Sequence, residues 1–169
     1  NSLHGSAILP DALRWLWHDW QMPITPSSKG GERYFATEFL DPSAKWQLVS
    51  EGHNFTEGPA VDAQGNVVFT DVRGDKLWRV DLNGKTTLFK DKAGEVVGMM
   101  YGKDGQLYAC RRKPAQIITI DAGGNETVLA EGISGNDLAV TATAEIYVTD
   151  PGAHKLWFIG LDRKPRVVH

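Results

Sequence analysis

The chain has 169 residues, of which 41% are hydrophobic and 23% charged, and its formal net charge is −3. A chain of this length can bury a sizeable core. Acidic and basic residues are mixed along it, which excludes the basic footprint of a nucleic-acid-binding protein. No stretch reaches the roughly 18 apolar residues that a membrane span needs. Cys110 is the only cysteine, so an internal disulfide is excluded and the cellular compartment is left undecided.

The first 44 residues predict a short helix followed by a linker. In residues 9–20, apolar side chains recur at the spacing of one helix face. These side chains are Leu13, Leu16, Trp17 and Trp20. Residues 23–31 are rich in Pro, Ser and Gly, which is typical of a linker. We therefore predict a separate N-terminal region, residues 1–44, ahead of a domain at 45–169.

The domain at 45–169 contains a sequence repeat. The stretch at 57–71 is followed by similar stretches at 97–111 and 136–150, at offsets of 40 and 39 residues. A repeat of this length built from short strands is typical of a β-propeller or a related array. Equivalent positions in successive blades face one central axis. Glu57, Val97 and Asn136 open the three stretches and are equivalent in this sense.

Each repeat predicts four strands, because short runs of β-branched and aromatic residues alternate with Gly, Asn and Asp. The predicted strands lie at 57–62, 66–71, 76–80 and 86–89, at 97–101, 106–111, 116–120 and 126–129, and at 136–141, 145–150, 155–159 and 165–168. Asn83-Gly84 and Gly123-Gly124 predict tight hairpins between the third and fourth strands. A lone fourth strand is predicted at 45–49. The predicted fold class is thus all-β, with three four-stranded propeller blades after a short helix.

Several motifs of the repeat resemble the gluconolactonase family, which includes the senescence-marker protein and the luciferin-regenerating enzyme. They are FTEGP at 55–59, GNVVFTD at 65–71, NDL at 136–138 and YVTDP at 147–151. The resemblance covers about residues 45–169. It implies a six-bladed propeller with a divalent metal, usually calcium, at the top of the channel. It also implies hydrolysis of sugar lactones or related esters.

The resemblance assigns two site residues. The family's first-blade Glu ligand falls on Glu57, and its third-blade Asn, which binds metal or substrate, falls on Asn136. Its remaining Asn and Asp ligands belong to blades that would follow His169. Calcium usually takes six to eight oxygen ligands, so we expect the metal site to be incomplete in this chain. The alternatives are that Glu57 caps a strand and that Asn136-Asp137 forms an ordinary turn.

Other polar residues of the repeat are weaker candidates. Arg111 and Arg112 could bind an anionic substrate near the channel mouth. His53 could act as a base, but no catalytic residue is assigned. Asp71 and Asp150 end equivalent strands, and for them we favour hydrogen bonding to the backbone or to neighbouring blades.

Three functions follow from these observations. The first is a metal-dependent lactonase-type hydrolase whose ring is completed by a second chain, as a homodimer. The second is an inactive fragment of a longer enzyme, and the third is a protein-interaction module that uses exposed blade edges. Residues 9–17 also resemble the C-terminal end of enterochelin-esterase-like α/β hydrolases, which implies a junction between an esterase domain and a propeller.

Overall fold

The computed structural model describes residue 45 and residues 47–168, and in this part twelve strands form three antiparallel sheets. Each sheet consists of four consecutive strands. Blade 1 contains β1 (Thr56–Val61), β2 (Val67–Asp71), β3 (Lys76–Val80) and β4 (Thr86–Asp91). Blade 2 contains β5 (Val96–Tyr101), β6 (Leu107–Arg111), β7 (Gln116–Ile120) and β8 (Glu126–Glu131). Blade 3 contains β9 (Asp137–Val140), β10 (Ile146–Asp150), β11 (Lys155–Ile159) and β12 (Pro165–Val167).

The three sheets confirm the predicted all-β fold of three four-stranded blades. The predicted helix at 9–20 and the separate region 1–44 lie outside the described residues. No helix capable of crossing a membrane occurs in the part of the chain that is described. The lone strand predicted at 45–49 is wrong for its described residues 47–49, which form no strand. Leu48 and Val49 are 79% and 53% exposed, because no strand among the described residues pairs with them.

The hairpins between third and fourth strands follow the predicted turn chemistry in two blades. Gly84 and Gly124 have φ of 78° and 84°, where a residue without a Cβ is favoured. Each donates its N–H to a carbonyl three residues earlier, at 2.9 and 3.0 Å. In blade 3 the turn is made by Arg163, whose φ is 58°.

The hydrophobic core lies between the blades. Leu77 of blade 1 belongs to one buried cluster with Leu107 and Ile118 of blade 2, and all three are 0% exposed. On the opposite face of blade 2, Cys110 and Ile117 share a second cluster with blade 3. Side chains therefore alternate between two buried surfaces, as the two-residue strand period requires.

The first strands of the three blades lie side by side and position the candidate site. The N–H of Gly98 in β5 donates to the carbonyl of Asn136 next to β9, at 3.0 Å. A Cβ on Gly58 in β1 would lie 2.1 Å from the carbonyl oxygen of Val97. Thr70 Oγ1 also donates to the carbonyl of Val96 at 2.7 Å, which ties blade 1 to blade 2. Glu57, Val97 and Asn136 thus occupy matching places on neighbouring strands.

Candidate functional site

Glu57 lies where β1 departs from regular pairing. It pairs with Thr70 of β2, and the register then shifts before Ala60. Such bulges re-aim side chains and are frequent beside functional sites. The Oε2 atom of Glu57 is buried and has no hydrogen-bond partner among the described residues. A buried carboxylate oxygen is costly without a partner, so this atom calls for a cation or a donor from elsewhere.

The side chain of Asn136 accepts a hydrogen bond from a basic residue that follows the second strand of blade 2. Arg112 Nη2 donates to Asn136 Oδ1 at 3.1 Å. The backbone N–H of Asn136 donates to the carbonyl of Thr149 at 2.8 Å, which fixes the residue at the start of blade 3. An amide oxygen has two lone pairs, so Oδ1 can accept this bond and still bind a further group.

Arg111 and Arg112 were considered together as substrate-binding candidates, but their side chains have different partners in the structure. Arg111 Nη1 donates to Glu126 Oε2 at 2.6 Å, and Nη2 donates to Gln116 Oε1. Lys90 of blade 1 joins the same carboxylate at 3.2 Å. Gln116 and Glu126 lie on the third and fourth strands of blade 2 and Lys90 on the last strand of blade 1, so Arg111 belongs to an ionic cluster that links the two blades. Arg112 is the arginine that meets Asn136, and a substrate role for either stays a prediction.

Val97 occupies the middle of the three equivalent positions and is 0% exposed within the core between blades 2 and 3. Its side chain supplies no oxygen donor. Across the described residues, no three His, Cys, Asp or Glu side chains converge in a way that could hold a metal ion. Glu57 and Asn136 carry the hard oxygen donors that calcium prefers, and their role as metal ligands stays a prediction.

Asp71 stabilises the segment that leads into Glu57. Its Oδ1 accepts from the backbone N–H groups of Asn54, Phe55 and Gly74 at 3.1, 3.0 and 3.1 Å. Burial alone would raise the pKa of Asp71, but these donors outweigh it and hold the pKa below its ordinary value of 3.8. Asp150 binds the N–H of Ala153 in the same way, at 3.0 Å. The structural interpretation of both residues is confirmed.

Replacing Asp71 with Ala is expected to lower the free energy of unfolding at neutral pH by about 2–4 kcal/mol, since three backbone N–H groups lose a charged acceptor. Because the folded pKa is depressed, this stabilisation is present above pH 3.8 and is lost as the pH falls through the folded pKa. The free energies of urea unfolding of wild type and variant should therefore converge only as the pH falls below 3.8 and through the folded pKa. Asp81→Ala, which removes similar bonds in an exposed turn, should cost less than about 1 kcal/mol.

His53 packs against aromatic side chains of blade 1. Its Nε2 is 2.7 Å from Ser50 Oγ, and its ring packs edge-on against Phe69 and Trp78 at centroid distances of 5.1 and 5.2 Å. A cavity lined in part by His53 and Glu57 opens beside these rings. The position of His53 is that of a packed side chain, and its suggested role as a base stays a prediction.

The sequence reasoning missed the contact of Arg112 with Asn136 and the unpartnered oxygen of Glu57. Arg112 and Asn136 stand 24 residues apart, in different blades. No spacing rule within a repeat connects them, because the contact depends on how two blades pack.

These three blades are those of a β-propeller. Residues 55–156 match the family model described as the SMP-30/Gluconolactonase/LRE-like region. This match covers more than half of the 169 residues. The chain therefore belongs to the SMP-30/gluconolactonase/LRE-like family, which confirms the resemblance seen in its motifs.

Individual proteins are similar to this chain in sequence or in fold. The chain is 29% identical over 108 residues to lactonase drp35 of Staphylococcus saprophyticus, a match that covers 63% of this chain and 32% of the relative. A gluconolactonase from Xanthomonas campestris superposes with a TM-score of 0.67 at 20% identity, over 72% of this chain and 49% of that one. Virginiamycin B lyase from Staphylococcus aureus superposes with a TM-score of 0.63 at 18% identity, over 75% of this chain and 46% of that one.

The chain matches only part of the length of each of these proteins. The chain spans about a third of the lactonase and about half of the solved gluconolactonase. At these identities the solved structures establish the fold, and three blades correspond to half of a gluconolactonase chain.

Proposed function

We propose that this chain forms part of a divalent-metal-dependent hydrolase of lactones or related esters, with calcium as the metal. The observation that carries the proposal is the buried, unpartnered Oε2 of Glu57. A carboxylate that is desolvated without a protein partner is the arrangement expected of a metal ligand before the metal binds. Similarity to a lactonase supports the reaction class.

In this proposal Glu57 and Asn136 hold the ion at the first strands of blades 1 and 3. When bound, the ion supplies Lewis-acid polarisation of the lactone carbonyl and stabilises the developing oxyanion. Arg112 keeps Asn136 Oδ1 oriented through its 3.1 Å hydrogen bond. Addition of water across the ester bond opens the ring to a hydroxy acid, whose new carboxylate carries negative charge. In this proposal the guanidinium of Arg112, which contacts Asn136, attracts that charge.

The site needs partners beyond the described blades. Glu57 and Asn136 fill two ligand positions, whereas calcium usually takes about six to eight. We propose that the missing ligands and the general base come from a second chain or from further blades of the ring.

Calcium titration of the whole chain tests the proposal. At 100 times its dissociation constant, calcium should stabilise the native state by about 2.7 kcal/mol and raise the melting temperature by roughly 5–10 °C. Magnesium at the same concentration should do less, because it prefers a tighter octahedral shell. A panel of sugar lactones should be hydrolysed with calcium and not after chelation. An unchanged melting temperature at millimolar calcium would overturn the metal proposal.

A protein-interaction module is the second candidate. It is favoured by the partly exposed apolar faces at both ends of the blade stack, such as the face carrying Tyr147, which is 41% exposed. An interaction module should associate with a partner yet show neither calcium stabilisation nor calcium-dependent hydrolysis, so the same titration separates the two functions.

A further inference from the structure

Three consecutive basic residues stand at the end of β6, and the outer two have acidic partners. Arg111 Nη1 donates to Glu126 Oε2, and Lys113 Nζ donates to Glu95 Oε1, both at 2.6 Å. A charge-assisted hydrogen bond of this kind balances the positive charge of its donor within the protein. The charges of Arg111 and Lys113 are thus matched by carboxylates of the chain itself.

Arg112, the middle residue of the three, has a neutral partner instead. Its Nη2 donates to the amide oxygen of Asn136 at 3.1 Å, and the residue is exposed to solvent. Asp137 Oδ1 accepts from the N–H of Leu138 at 2.9 Å, and within the described chain Asp137 forms no ion pair with Arg112. A guanidinium carries five N–H donors in a planar fork, of which the described residues use one. Arg112 therefore keeps an unbalanced positive charge and free donors beside Asn136.

The repeat itself does not require a charged side chain at the position of Arg112. At the repeat offsets of 40 and 39 residues, its equivalents are Val72 in blade 1 and Pro151 in blade 3. Val72 is 5% exposed and belongs to a hydrophobic core cluster. A position that serves blade packing keeps an apolar side chain, as Val72 does. The arginine in blade 2 is therefore a departure that the folding of a blade does not explain.

The backbone of Arg112 is fixed by the segment that leads into β5. The N–H groups of Arg112 and Lys113 both donate to the carbonyl of Gly94, at 3.2 and 2.9 Å. Gly94 packs closely against this loop, because a Cβ there would lie 2.5 Å from Arg111 Cδ and 2.6 Å from the carbonyl oxygen of Lys113. Since the backbone is already ordered, less conformational entropy is lost when the guanidinium binds a further group.

Arg112 lies at the same end of the blades as the candidate site. It follows β6, whose last residue pairs with Val96, the first residue of β5. Glu57 is the second residue of β1, and Asn136 directly precedes β9. The contacts of Thr70 with Val96 and of β5 with Asn136 bring these strand ends together. A ligand that reacts at Glu57 and Asn136 would thus present its remaining part to Arg112.

We propose that Arg112 determines the substrate class of this site by binding a carboxylate on the lactone itself. This inference rests on the proposed function, because it names the kind of lactone that the site would take. One guanidinium balances the single charge of a carboxylate, and its planar fork matches the two carboxylate oxygens. The substrate class is a sugar-acid lactone that keeps a free carboxylate while its ring is closed.

A phosphate group fits the free charge less well. It carries about 1.5 to 2 negative charges at neutral pH, so one guanidinium would leave part of its charge unbalanced. Lys113, next in the chain, is already bound by Glu95. Arg73, in the corresponding loop of blade 1, lies over the ring of Phe55 at 5.7 Å from the centroid. The single free charge at Arg112 therefore favours a carboxylate.

A matched pair of lactones tests the inference. The 1,4-lactones of D-glucaric and D-gluconic acid share the same ring, and only the glucaric lactone carries a free carboxylate, where the gluconic lactone has a hydroxymethyl group. With calcium present, wild type should hydrolyse the glucaric lactone with a kcat/KM at least about 10-fold higher. Arg112→Gln should abolish this preference mainly through KM, and Arg112→Lys should keep part of it, because the charge remains but the fork is lost. The ratio of the two lactones separates this role from the orientation of Asn136, which affects both.

Lys103→Gln is the matched control. Lys103 is exposed in the turn between β5 and β6, at the opposite end of blade 2, and this change removes the same positive charge. It should leave the preference unchanged. Equal hydrolysis of both lactones by wild type, a preference that survives in Arg112→Gln, or an equal loss in Lys103→Gln would overturn the proposal.

NMR provides a measurement that needs neither calcium nor hydrolysis. In the presence of a chelator, the Arg112 Nε–Hε signal, identified by its absence from Arg112→Lys, should shift on titration with the glucaric lactone and not with the gluconic lactone. A shift without calcium-dependent hydrolysis would support the carboxylate site and refute the proposed hydrolase. Calcium-dependent hydrolysis with no shift would support the hydrolase and refute the role of Arg112. Inorganic phosphate that moves the signal at lower concentration than the glucaric lactone would overturn the choice of a carboxylate.

Discussion

Replacing Glu57 with Gln is expected to abolish the calcium-dependent rise in melting temperature and to slow lactone hydrolysis at least about 100-fold. Gln has the same shape but lacks the negative charge, so the proposed metal site loses the anionic ligand that Glu57 would supply. Without calcium, the variant should be at least as stable as wild type, because the neutral amide carries no charge at the buried position where Glu57 Oε2 has no partner. Thermal unfolding with and without calcium measures both effects.

Glu51→Gln is the matched control, since Glu51 is an exposed glutamate six residues away. It should leave the calcium response and the activity unchanged. If Glu57→Gln were instead destabilised without calcium and still responded to the ion, Glu57 would be a strand cap paired with another residue, and the metal-ligand role would be wrong.

The second large effect is expected at Gly58, where the first strands of blades 1 and 2 meet. Gly58 has φ of 53°, and a Cβ there would lie 2.1 Å from the backbone oxygen of Val97. That oxygen cannot move aside without shifting β5, which packs between β1 and β9. Gly58→Ala should therefore lower the free energy of unfolding by about 3–5 kcal/mol, a large part of the stability of an ordinary domain.

Gly84→Ala isolates the contribution of the clash. Gly84 also has a positive φ, of 78°, but a Cβ added there would have nothing within 4 Å. This variant should cost only about 1 kcal/mol, as measured by urea unfolding. Equal costs for the two substitutions would contradict the close approach of β1 to β5, and with it the placement of Glu57 beside the Val97 strand.

Much of the fold could be predicted because its signals are local. Strands alternate over a few residues and end at Gly, Asn or Asp, and a hairpin turn such as that at Gly84 needs only its own residues to specify it. The repeat register then made Glu57, Val97 and Asn136 equivalent, and the structure confirms the register through Glu57 with Thr70 and Asn136 with Thr149. The position of a residue within a repeat can be read from the order of residues in the sequence.

The predicted strand at 45–49 shows where this local reasoning fails. Residues 47–49 have the composition of a strand, but a strand also needs a neighbour to satisfy its N–H and C=O groups. The described residues offer none at this position, so Leu48 stays 79% exposed. Residues 47–49 thus have the propensity to form a strand but no strand to pair with among the described residues.

The sequence alone thus determined three blades and their register, which puts Glu57 and Asn136 at equivalent positions. Only the tertiary structure decided which arginine meets Asn136, that Arg111 is bound by Glu126, and that the Oε2 of Glu57 is buried without a partner among the described residues. The physical reason is distance along the chain. Backbone pairing within a blade follows from neighbouring residues, whereas side-chain partners between strands and blades depend on packing that brings remote residues together.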